Sequence, residues 1–84
     1  MAYRILYTKT AAKDIGKLDR VVKNKIQKKI EAFSKKPLYY SKRLTNSKMG
    51  TYRFRAGNYR IVFDMDKNTV VILRVGHRRE IYKQ

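Results

Sequence analysis

Between residues 52 and 75 the chain switches side at nearly every residue, and this alternation constrains its fold more than any other feature. Tyr52-Arg53-Phe54-Arg55, Tyr59 to Asp64 (YRIVFD) and Thr69 to Val75 (TVVILRV) are rich in β-branched and aromatic residues. Each reads as a strand. Ala56-Gly57-Asn58 and Asp66-Lys67-Asn68 separate them, and turns this short join antiparallel neighbours. Residues 52–75 therefore predict a three-stranded meander.

The first half of the chain has a different period. Tyr3 to Thr8 (YRILYT) reads as one more short strand. Ala11, Ala12, Ile15 and Leu18 then share one helical face, with Thr8 or Thr10 as the cap. Val22, Ile26, Ile30 and Phe33 line a second, longer helix, while Lys23, Lys25, Lys28, Lys29 and Lys35 project mainly elsewhere. Asp19 near its start offsets the helix dipole, and Pro37 stops it. Residues 37–50 (PLYYSKRLTNSKMG) read as an irregular basic loop. The prediction is a single α+β domain over residues 1–84: an N-terminal strand, a helical hairpin of about 28 residues, then the antiparallel meander, with the helices packed on one face of the sheet.

Composition narrows the function. Lys plus Arg is 22 against six Asp plus Glu, a formal net charge of +16 on 84 residues, with no Cys. There is no disulfide framework and no thiolate metal site. One histidine and six scattered acids do not make a zinc site, and no cofactor is expected. No run approaches the roughly 18 apolar residues of a membrane span, and the N-terminus lacks a signal-peptide pattern, so a cytoplasmic protein is expected. A charge this high opposes the compact state and favours an acidic partner. Disorder would be the alternative. Ten aromatics (seven Tyr plus three Phe) and clear apolar periodicity argue against it.

Alternation also sorts the strand residues. Tyr52, Phe54, Tyr59, Ile61, Phe63, Val71, Leu73 and Val75 form one apolar set, suited to the helices. Arg53, Arg55, Arg60, Val62, Val70, Ile72 and Arg74 form the other, and the same parity continued past Gly76 reaches Arg78. A single such arginine is ordinarily a solvated charge. Five on one face, with no carboxylate before Asp64, face each other at a cost in stability. That cost is explained by a site for anions, and the guanidinium fork suits phosphate. Lys42 and Arg43 in the basic loop, with Arg74, are candidate substrate-binding residues. Tyr82 or the pair Tyr39-Tyr40 offer rings on which bases can stack. Tyr59 is expected in the core.

Taken together, Tyr52-Arg53-Phe54-Arg55, Gly57-Asn58-Tyr59-Arg60-Ile61-Val62-Phe63 and the tail Val75-Gly76-His77-Arg78-Arg79-Glu80-Ile81-Tyr82 resemble the RelE/ParE superfamily of bacterial and archaeal toxins, most closely its RelE branch. The likeness covers nearly the whole chain, as a single RelE-like toxin domain. It implies a type II toxin that cuts mRNA in the ribosomal A site without metal, by attack of the 2′-hydroxyl on the adjacent phosphate. It carries catalytic roles to Arg53, Arg55, Arg60, Arg78 and Tyr82. Well-known RelE members have lysines at the two second-strand positions. Arginine does not surrender a proton near neutral pH, so Arg53 and Arg55 stabilise charge only, and Tyr82 or His77 is left as general base. The implied partner is an acidic, RelB-like antitoxin, with operator DNA bound only through it and no membrane. The competing expectations are a ParE-like inhibitor of DNA gyrase without nuclease activity, and a passive basic nucleic-acid-binding module.

Overall fold

The computed structural model describes residues 3–45 and 50–81. The elements run β1 (Arg4–Tyr7), α1 (Lys9–Gly16), α2 (Arg20–Phe33), α3 (Pro37–Tyr40), β2 (Ser41–Arg43), β3 (Tyr52–Ala56), β4 (Tyr59–Asp66) and β5 (Thr69–His77). They form a five-stranded sheet in the order β1-β5-β4-β3-β2. The predicted α+β architecture is present. The meander is β3-β4-β5, and β1 runs parallel to β5, with Arg4 opposite Thr69.

Local chemistry explains the boundaries. Thr8 caps α1: its Oγ1 accepts the Ala11 amide at 3.1 Å and donates to the Ile72 carbonyl at 3.0 Å, so one hydroxyl starts the helix and ties it to β5. Asp19 caps α2 by accepting the Val21 amide at 2.9 Å, satisfying one of the orphan donors at a helix start. Gly57 (φ +61°) and Lys67 (φ +55°) occupy the first position of the two hairpin turns. A positive φ there matches the turn to the twist of its strands.

Two expectations need correction. Residues 37–50 are not simply a loop. Pro37 opens the short helix α3, where its missing N–H is not needed, and Ser41–Arg43 pairs antiparallel with β3. Ser-Lys-Arg carries no apolar alternation because β2 is a three-residue edge strand held by backbone bonds, and lysine on an edge discourages further pairing. The second correction concerns β5. Val62 pairs with Arg74 but Phe63 pairs with Ile72, so β5 carries one extra residue and its alternation inverts. Val70 and Ile72, expected on the arginine face, are fully buried in the core, and Val71 and Leu73 are only half-buried.

The core lies between the helices and one sheet face. Ala11, Ile15, Ile26 and Ile30 meet Phe54, Ile61, Phe63, Val70, Ile72 and Val75. Phe54 and Phe63 stack at 4.2 Å between centroids. Full burial of each such side chain contributes roughly 1.5–3 kcal/mol. The other face is covered in part. A Cβ on Gly50 would meet Val62 Cγ1 at 2.6 Å and Leu73 Cδ1 at 2.8 Å, so the backbone there lies directly on the sheet. The Thr51 amide donates to Asp64 Oδ1 at 2.7 Å and holds that cover in place.

Candidate functional site

Strand register orders this outer face in rows, the first of which passes under the Gly50 cover at Val62. Lys42, Arg53, Val62 and Arg74 are successive cross-strand partners on β2, β3, β4 and β5. Two residues along, Arg55 faces Arg60, which faces Gly76. Side chains directly opposite in an antiparallel pair have Cβ atoms about 4.5–5.5 Å apart. The stems of two arginines are therefore held side by side, and at the third place in their row the buried Ile81 side chain packs over Gly76.

The β3–β4 turn organises the end of this row. Arg60 Nη1 donates to the Gly57 carbonyl at 2.8 Å and to the Tyr59 carbonyl at 2.9 Å. The carbonyl between them, on Asn58, accepts the Arg78 amide at 2.7 Å. Three consecutive carbonyls thus fix the guanidinium of one arginine and the backbone of another. Arg60 is only 5% exposed, so it is a rigid, largely desolvated cation rather than a mobile surface charge. Arg55 and Arg78 are exposed, and Arg53 is half-buried.

The other candidates have different places. Arg74 shares a row with Arg53, but its Nε donates to Asp14 Oδ2 at 2.8 Å. The same oxygen accepts the Val75 amide at 3.0 Å, where β5 runs on past the end of β1. Arg74 thus serves an ion pair that fastens α1 to the sheet. His77 stands opposite Tyr59 and meets its ring edge-on at 5.6 Å, and its Nδ1 accepts the Arg79 amide at 3.2 Å. Tyr59 itself packs against the core, as expected. Arg43 is paired with Tyr52, which gives it the opposite parity from Lys42. Tyr82 lies outside the described residues.

Sequence reasoning missed Asp14 and the turn carbonyls. Asp14 did carry a signal: it is the one acid in α1, and it sits on the face of Ala11 and Ile15. Backbone carbonyls leave no such trace. A cleft of about 590 Å³ lies between α1 and β5, lined among others by Asp14, Lys17, Arg74, His77 and Glu80. Its two carboxylates suit phosphate poorly, and Arg74, which reaches it from the outer row, is engaged there by Asp14. No helix among the described residues is long and apolar enough to cross a membrane.

Comparison with known proteins agrees with the architecture. A family model described as the ParE toxin of type II toxin–antitoxin systems matches residues 5–82. Toxin RelG of Mycobacterium tuberculosis is 37% identical over 87 residues, spanning 100% of both chains. Among solved structures, a chain of the toxin–antitoxin complex RelBE2 from Mycobacterium tuberculosis superposes with a TM-score of 0.81 at 34% identity, covering 93% of this chain and 100% of that one. A chain of the RelB–RelE antitoxin–toxin complex from Methanococcus jannaschii gives 0.72 at 30% identity, covering 93% and 95%.

Proposed function

The chain belongs to the RelE/ParE superfamily of type II toxins, on its RelE-like branch, and from that premise we propose that it is a ribosome-dependent mRNA endoribonuclease. The observation that carries this reading is the side-by-side pair Arg55 and Arg60, with Arg78 pinned to the same turn. In the proposed reaction the 2′-oxygen of one nucleotide attacks the adjacent phosphorus. The bond from phosphorus to the 5′-oxygen breaks, leaving a 2′,3′-cyclic phosphate and a 5′-hydroxyl. The 2′-hydroxyl proton goes to a base, and the leaving oxygen takes up a proton.

Negative charge grows on the phosphorane oxygens in between. Fixed cations aimed at that charge lower the barrier, by about 2.7–4 kcal/mol for one well-placed donor. We assign that role to Arg60 and Arg78, with Arg53 and Arg55 as supporting cations and Lys42 at the entrance of the row. Tyr82 is the proposed base, a role that rests on the resemblance of the tail to the RelE branch. His77 receives no acid–base step, since its Nδ1 is taken by the Arg79 amide. Arg74, engaged by Asp14, is assigned to the scaffold. The proposed partner is an acidic, RelB-like antitoxin, a reading supported by the RelB-containing complexes of similar toxins and by the charge of +16.

The test is toeprinting on translating ribosomes. Codon-specific cuts that disappear with Arg78→Ala are the expected result. The ParE description of the matching family favours one second reading, inhibition of DNA gyrase. That reading predicts intact mRNA together with double-strand DNA breaks in the same cells.

A further inference from the structure

An exposed aromatic cluster stands at the β2 edge of the molecule, and the proposed chemistry does not use it. Tyr39 is 78% exposed, and Leu38 and Tyr40 are also exposed. These rings are not loose. Phe54 in the core meets Phe33 of α2 at 5.3 Å, Phe33 stacks on Tyr40 at 5.2 Å and 29°, and Tyr40 meets Tyr39 at 4.9 Å and 89°. A chain of rings rooted in the core thus braces Tyr39 from one side and leaves it open to solvent. The next strand residues are Ser41 and Lys42, and Lys42 begins the row that leads across Arg53.

The charge nearby has one sign. No Asp or Glu occurs between Glu31 and Asp64, while Lys35, Lys36, Lys42 and Arg43 flank the tyrosines in sequence. Lys35, Lys36, Lys42 and Arg43 are all exposed, and Lys29 lies over the Phe33 ring at 5.6 Å. Protein–protein interfaces are enriched in tyrosine but depleted in lysine at their centres. A braced ring among lysines is instead the arrangement that binds single-stranded nucleic acid, with bases on the ring and phosphates on the cations.

We propose that Tyr39 is a base-stacking platform for single-stranded RNA, and that Lys42 carries the strand from it onto the arginine row. The proposal rests on the RNA-acting reading above, and its occupant is RNA that extends beyond the cleaved bond. Because the chain has no tryptophan, Tyr39→Trp creates a single reporter. A short oligouridylate is expected to quench that fluorescence and to bind the Trp and Phe variants as it binds wild type. Tyr39→Ala is expected to bind about tenfold more weakly, with an unchanged circular dichroism spectrum. Equal affinity for Tyr39→Ala, or quenching by a polyglutamate peptide in place of the oligouridylate, overturns the platform. Neither outcome touches the cleavage reading, which toeprinting with Arg78→Ala decides. Conversely, RNA that stacks on Tyr39 without any mRNA cleavage keeps the platform and removes the nuclease.

Discussion

Arg78 is exposed and keeps its place through its backbone, whereas Arg60 is buried and keeps its place through its side chain. The two arginines therefore differ in what their removal does. Arg78→Ala is expected to abolish growth arrest with no change in thermal midpoint. Arg60→Ala is expected to abolish it too, but also to cost about 1–3 kcal/mol, because the Gly57 and Tyr59 carbonyls lose a charged donor. Growth assays beside urea unfolding check both statements. A second residue-scale effect belongs to Tyr7, whose pKa is raised above its usual value of 10.0 by burial and then by the nearby Glu31 carboxylate. The unfolded chain then releases this proton at lower pH than the folded one. Its contribution is intact below pH 10 and is lost as pH rises through the higher folded value. Tyr7→Phe is accordingly expected to lose less stability than wild type above pH 10, measured as the urea midpoint against pH.

At the scale of elements, strands β3 and β4 and both hairpin turns were legible in the sequence, because each combines period-two alternation with a turn of the right length. Helices α1 and α2 were legible from Ala11, Ile15, Ile26 and Ile30, the residues that enter the core, whereas the four-residue α3 is too short to show a period. Strand β5 was legible as a strand but not in its facing. An all-apolar stretch such as Val70 to Leu73 gives no polar residue to report which side is out, so the extra residue went unseen. β2 was invisible because its bonds come from backbone alone. The arginine row was legible at Arg53, Arg55 and Arg60, on strands that keep strict alternation. The roles of Asp14 and the Asn58 carbonyl depend on contacts between distant elements. The cover over the outer face yields a test at this scale. Gly50→Ala places a methyl against Val62 and Leu73 and is expected to cost about 1–3 kcal/mol by overpacking. Thermal unfolding measures it.

For the whole molecule, an excess of 22 basic over six acidic side chains means that self-repulsion acts over nearly the entire surface. Salt shortens that repulsion, the Debye length falling to about 3 Å at 1 M. Added sodium chloride is therefore expected to raise the melting temperature of the isolated protein while weakening the proposed binding of RNA, with a slope of about −0.7 per phosphate contacted. A melting temperature that ignores salt would contradict the account of charge given above. The parallel pairing of β1 with β5 has a consequence of another kind. Arg4 and its partner Thr69 stand 65 residues apart along the chain, so the seam closes only after every other strand has been made. While residues 69–78 are still inside the exit tunnel, the sheet has no seam to close and Arg78 cannot reach the hairpin that seats it. The proposed activity thus waits on β5, the strand made after the other four.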